Sequence, residues 1–249
     1  MESIWIRYWG LEKQYGCMVI AAKSALERNP TNSQLNLLYG TSLALFGKNS
    51  EAISNLESLL NDPQLVFPAS LALVYAHNSC EIINREAVAQ LDAKLKEEVR
   101  KASEASLSNA AWFYLLTGRP EQASDCADRM LLNNPKSCAV AILKGWIDFV
   151  RGKKPSAAEH FKQAASQEKQ NTEAVLGEAM SLPMQEGMTR LNQLIVRFPK
   201  VAVPLMEKAK LQLAIKDWTQ TLDTASRVLS LDANNFYAVK VQFIDLQSD

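Results

Sequence analysis

The sequence predicts an all-α chain, a right-handed solenoid of about seven tandem helical hairpins followed by a single terminal helix. Three observations carry this. Small residues recur in steps of seven and five, at Gly40, Gly47 and Ala52, at Ala111, Gly118 and Ala123, and at Gly145, Gly152 and Ala157. Prolines follow at "ERNP" (Pro30), "NDP" (Pro63), "NNP" (Pro135) and "RFP" (Pro199), where a helix cannot continue. No segment shows the two-residue apolar alternation of a strand.

The last two copies of the small-residue pattern are offset by 34 residues and the first two by 71, two such periods plus three. A further, slightly enlarged unit belongs between them. A period of 34 is that of the tetratricopeptide repeat, a pair of antiparallel helices. The first small residue lets a neighbouring helix cross closely. The glycine seven later ends the first helix in a left-handed turn, and the alanine five beyond seats the second helix. Glycine inside a helix costs about 1 kcal/mol relative to alanine, so Gly40 in "LNLLYGTSLALF" needs such a packing reason.

Laid along the chain, this ruler places hairpins at 3–30, 33–63, 66–103, 105–135, 138–169, 171–199 and 202–233, with an orphan helix at 235–247, all in one domain spanning 1–249. The first carries an apolar stripe of Tyr15, Met18, Ala22, Ala25 and Pro30. The third joins "VFPASLALVYAHN" to a long charged second helix, "NREAVAQLDAKLKEEVRKASE". The sixth, around Gly177, is interrupted early by "SLPMQEG" and is the least regular. The seventh places Trp218 and Ala225 in second-helix core positions. The orphan helix "NFYAVKVQFIDL" keeps an apolar face where a closing helix is polar, so the natural chain is expected to continue.

Composition narrows the function. With 27 basic and 27 acidic residues, nothing attracts nucleic acid or an anionic membrane across the whole sequence. The N-terminus has Glu2 and Arg7 where a secretory signal needs an apolar run, and no 18-residue apolar window exists for membrane insertion. Cys17, Cys80, Cys126 and Cys138 are scattered without a CxxC pair, and are read as reduced and mostly buried in a cytosolic protein. His77 and His160 are not spaced for zinc with any of them. Phosphate-loop, nucleophile-elbow and HExxH motifs are absent from the sequence, so no catalytic residue, metal or cofactor is expected. His77 near Cys80 is read as a chance pairing at a helix end, since nothing nearby completes a triad.

Five stretches narrow the class further: "SLALVYAHN" at 70–78, "NREAVAQLDAKLKEEVRKAS" at 84–103, "AILKGWIDFVRGKKP" at 141–155, "LNQLIVRFP" at 191–199 and "KLQLAIKDWTQTLDTASRVL" at 210–229. Together the chain resembles the N-terminal region of the tetratricopeptide-repeat-domain 21 family, the large repeat subunit of intraflagellar transport complex A. The resemblance runs the length of the chain, departing at "SLPMQEG", where the family has a fuller turn. It implies a non-catalytic scaffold in retrograde ciliary transport and cilium assembly, working in cytoplasm, cilium and ciliary base. The implied partners are other complex A subunits and ciliary cargo or membrane-protein adaptors. No catalytic residues carry over.

In a solenoid of paired helices the first helices form a concave face, the default partner-binding surface. Here it comprises Leu37, Thr41 and Ala44, then Ser108, Trp112 and Leu115, then Ile142, Trp146 and Phe149. Trp112 and Trp146 fall at equivalent positions. They are read either as anchors for an apolar partner segment or as residues buried between neighbouring repeats. The alternative function is a co-chaperone adaptor clamping an acidic chaperone tail, but that needs cations where the sequence has Leu37, Thr41, Ile142 and Trp146. The mixed-sign run at 92–101 reads as a solvated helix face.

Overall fold

The computed structural model describes residues 2–168, 170–231, 233 and 235–245. The predicted hairpin end at 169 and residues 246–247 of the predicted terminal helix lie outside them. Taken two by two in sequence order, the helices of the described residues are α1 (Glu2–Leu11) then α2 (Tyr15–Arg28), α3 (Ser33–Phe46) then α4 (Asn49–Glu57), α5 (Val66–Asn78) then α6 (Arg85–Lys101), α7 (Glu104–Leu116) then α8 (Pro120–Asn133), α9 (Cys138–Val150) then α10 (Lys154–Gln167), α11 (Thr172–Ser181) then α12 (Met184–Arg197), α13 (Ala202–Ala214) then α14 (Trp218–Leu231), and last α15 (Phe236–Asp245).

Local chemistry sets these bounds. The side chains of Asn32, Asn84, Ser103, Ser137 and Asn171 cap α3, α6, α7, α9 and α11 by accepting from backbone N–H groups of the first turn, at 3.0–3.4 Å. Each cap satisfies donors that the helix leaves open. Ser103, Ser137 and Asn171 stand one period apart and extend the repeat ruler to a polar position. At the other end of the first helices, Gly47, Gly118 and Gly152 take φ of 90°, 72° and 76°. Gly47 N–H and Lys48 N–H donate back to Ala44 and Leu43, which closes α3. Lys13 (φ 58°) and Lys216 (φ 60°) adopt the same left-handed turn between α1 and α2 and between α13 and α14.

By internal packing the chain divides into two compact units, 1–151 and 152–249, where the repeat ruler reads one continuous array. In the first unit, α2, α3, α4 and α5 pack in zigzag succession and α3, α5, α7 and α9 stack side by side. A buried cluster including Leu37, Leu43, Leu56, Leu73, Leu91 and Phe113 joins α3 through α7. Gly40 sits against Leu56, where an added Cβ would lie 2.6 Å from its Cδ2, and also against Asn55. Close helix crossing is therefore what Gly40 provides, and Ala52, Ala111, Ala123 and Ala157 are fully buried. The third pair has the long charged helix: α6 packs chiefly on α5 and buries Leu91 alone among its residues.

In the second unit, α10 to α15 pack each on the next. α11 stops at Ser181, and only Leu182 and Pro183 connect it to α12. Gly187 compensates for so short a connection, since its Cβ would lie 2.7 Å from the Ala179 carbonyl oxygen. Two expectations need correction. Trp218 is 52% exposed: it is the first residue of α14, and a helical side chain covers the turn before its own Cα, which here lies outside the helix. Ala225 is fully buried. Of the four cysteines only Cys126 is buried; Cys17, Cys80 and Cys138 are partly exposed, because they sit near helix ends, and all four are free thiols.

Candidate interaction surface

The nine inner-face residues lie on three first helices, at spacings that put each trio on one side of α3, α7 or α9. Leu37, Thr41, Ala44, Trp112, Leu115, Ile142 and Trp146 are all buried, while Ser108 and Phe149 are half-buried. The indoles of Trp112 and Trp146 neighbour each other across α7 and α9, with centroids 6.0 Å apart and tilted by 56°. Phe149 meets Trp146 edge-on at 5.7 Å. Leu37 and Ala44 belong to the buried cluster shared by α3 through α7.

Part of the reason this face is closed in the first unit lies at its N-terminus. α1 packs on α2 and α3, and also on α7, three hairpins away. The Arg7 guanidinium carbon lies 4.7 Å from the centroid of the Trp112 ring, and its Nη2 donates to Asn109 Oδ1 at 3.2 Å. The backbone of Gly10 runs against Leu116. Ile6, Tyr8 and Trp9 are buried. Of the two readings of Trp112 and Trp146, partner anchors or residues buried between repeats, both side chains are buried here, where α1 and the stacked first helices cover one another.

Arg7, Gly10, Asn109 and Leu116 are the residues that reasoning from sequence overlooked. A signal existed: Arg7 stands one period before Thr41, at the position Trp112 and Trp146 hold in later hairpins.

The second unit holds a polar cleft of about 470 Å³ between α10 and α12, lined by Glu159, Lys162, Glu178, Glu186, Arg190 and Gln193. Glu178, on α11, is 5% exposed. It accepts a charge-assisted bond from Arg190 Nη2 at 3.1 Å. A buried carboxylate without such a partner would be strongly unfavourable.

The site chemistry is otherwise quiet. Cys80 Sγ donates to the Ala76 carbonyl at 3.3 Å, a bond within its own helix end. Burial pushes the Cys126 thiol up to about 11, away from the thiolate form a nucleophile needs. Among the described residues no His, Cys, Asp or Glu cluster is gathered to hold a metal, and no helix is long and apolar enough to cross a membrane.

Paired helices with left-handed turns at a fixed period define a helical-hairpin repeat protein, and solved structures agree on the fold. A tetratricopeptide repeat protein from Parabacteroides merdae superposes with a TM-score of 0.58 at 16% identity, covering 94% of both chains. The Cut9–Hcn1 hetero-tetramer of the APC/C gives 0.53 at 13% identity, over 95% of this chain and 47% of that one.

The chain belongs to the tetratricopeptide repeat protein 21 family: residues 6–222 match the model described as the tetratricopeptide repeat protein 21 N-terminal ARM repeat. It is 32% identical over 244 residues to tetratricopeptide repeat protein 21B of Homo sapiens. To human tetratricopeptide repeat protein 21A it is 31% identical over 242 residues. Each alignment covers 95% of this chain, which spans 18% of the length of these relatives.

Proposed function

We propose that this chain is a non-catalytic interaction scaffold, one part of a subunit of intraflagellar transport complex A that acts in retrograde ciliary transport and cilium assembly. Family membership along 6–222 is the observation that carries the reading. The paired-helix architecture supports it, since such arrays present long surfaces rather than a reaction centre. Its partners are other complex A subunits and ciliary cargo or membrane-protein adaptors, met at the ciliary base and in the cilium. Partners dock on outward surfaces, because Leu37, Thr41, Ala44, Trp112, Leu115, Ile142 and Trp146 are buried. The chaperone-tail reading gains nothing from the structure: Leu37, Thr41, Ile142 and Trp146 offer no cation, and Arg7 is engaged with Trp112 and Asn109.

The test is affinity capture from ciliated cells with this chain as bait, quantifying complex A subunits by mass spectrometry with crosslinking. Enrichment of those subunits, with crosslinks to outward residues, is expected. Recovery of chaperones in their place would overturn the reading.

A further inference from the structure

Between α6 and α7 only Ala102 and Ser103 lie outside a helix. Ala102, at φ −58° and ψ 126°, has left the helical region, and Ser103 is extended at φ −70° and ψ 166°. Ser103 is exposed, and so are Arg100 and Lys101, which stand three and two residues before it in the last turn of α6. The fold makes little use of these two cations. Lys101 pairs with Glu97 one turn back in its own helix, with both side chains more than 60% exposed, and Arg100 takes no partner among the described residues. From Asp92 to Lys101 no side chain is buried, so the end of α6 is where local opening costs least. Only Ser103 and Ser156 follow cations at both of these places in the sequence, and Ser156 lies inside α10.

An arginine and a lysine at this spacing before an exposed serine form the charge pattern that an arginine-directed serine kinase reads with the carboxylates of its peptide groove. We propose that Ser103 is a phosphorylation site for a kinase of this class, with a magnesium nucleoside triphosphate as the donor. Ser103 Oγ attacks the γ-phosphorus in line. The Oγ–P bond forms as the bond from that phosphorus to the β,γ-bridging oxygen breaks, the nucleoside diphosphate leaves, and the hydroxyl proton passes to the kinase's carboxylate base. The place of Ser103 in the fold decides what the product does. Its Oγ already accepts from Ser106 N–H at 3.2 Å as the cap of α7, and the neighbouring Glu104 is engaged by Ser137 Oγ at 2.7 Å. A phosphate there sets about two negative charges against the open N–H end of α7 and beside Arg100 and Lys101. The cationic end of α6 thereby becomes anionic, which selects among docking partners by charge. The site is a property of the first unit and stands whichever assembly the chain serves.

The full chain is incubated with the catalytic subunit of cyclic-AMP-dependent protein kinase and magnesium ATP, and phosphate is located by tandem mass spectrometry. Ser103 is expected to carry the first phosphate. Ser103→Asn keeps a capping side chain of the kind Asn171 supplies to α11, and should lose most of the incorporation. Arg100→Ala removes one charge-assisted contact to the kinase and should lower kcat/KM at Ser103 about tenfold. Lys101→Ala tests the second cation, and circular dichroism shows that each variant is folded. A free peptide of residues 97–109 reads the motif without the fold. Phosphate on the peptide but not on the folded chain, phosphate first at another residue, an unchanged rate in folded Arg100→Ala and Lys101→Ala chains, or no phosphate on either substrate overturns the proposal.

Discussion

At the scale of single residues, the small side chains of the repeat are set by distance. An alanine at Gly40 gains helix propensity of about 1 kcal/mol but drives its Cβ to 2.6 Å from Leu56 Cδ2. Gly40→Ala is expected to lose about 1–3 kcal/mol net, read as a lowered urea midpoint at unchanged slope. Cys126 makes a second prediction. Ellman's reagent at mildly alkaline pH should label Cys17, Cys80 and Cys138 in the folded chain and reach Cys126 only on unfolding. The folded thiol lies near 11 against an ordinary 9.0, so its contribution to stability holds below pH 9 and is lost as pH rises toward 11. The glycine pattern was legible because no other residue type meets these constraints cheaply. Lys13 and Lys216 were not, because lysine gives no sign of a left-handed turn. Trp218 failed for a related reason: periodicity assigns a face, but a residue at the first turn has no preceding turn to pack on.

Among elements, the helix pairs followed from punctuation and period, and the long charged helix of the third pair from its composition. The recurring caps at Ser103, Ser137 and Asn171 carry the same period in polar residues, and apolar patterning passes over them. The sixth pair illustrates what spacing alone leaves open. The early interruption "SLPMQEG" marked it as irregular, but the polar cleft beside it depends on where α10 and α12 stand over α11. There Arg190→Ala is expected to destabilise the second unit by about 1–3 kcal/mol, because it strands the carboxylate of Glu178 with little access to water. Glu178→Gln should lose less, since an amide tolerates burial better than a carboxylate. Chemical denaturation of the two variants side by side checks the order.

For the whole molecule, the balance of 27 basic and 27 acidic residues leaves little net field, and ion pairs such as Lys48–Glu51 and Lys101–Glu97 are exposed. Raising NaCl to about 1 M is therefore expected to move the melting temperature by no more than about 2 °C in a calorimeter. Class and family could be read from sequence because a repeat writes the same constraint many times over. The part of the inner face that α1 closes could not, because it depends on contacts between distant hairpins. Those contacts also order events during synthesis. α1 leaves the ribosome before α7, and Asn109 follows Arg7 by 102 residues. At about 5–20 residues per second, roughly 5–20 s pass before α7 exists to receive it. Throughout that interval the nascent chain displays an aromatic helix with its docking site still untranslated, an invitation to holding chaperones at the exit tunnel.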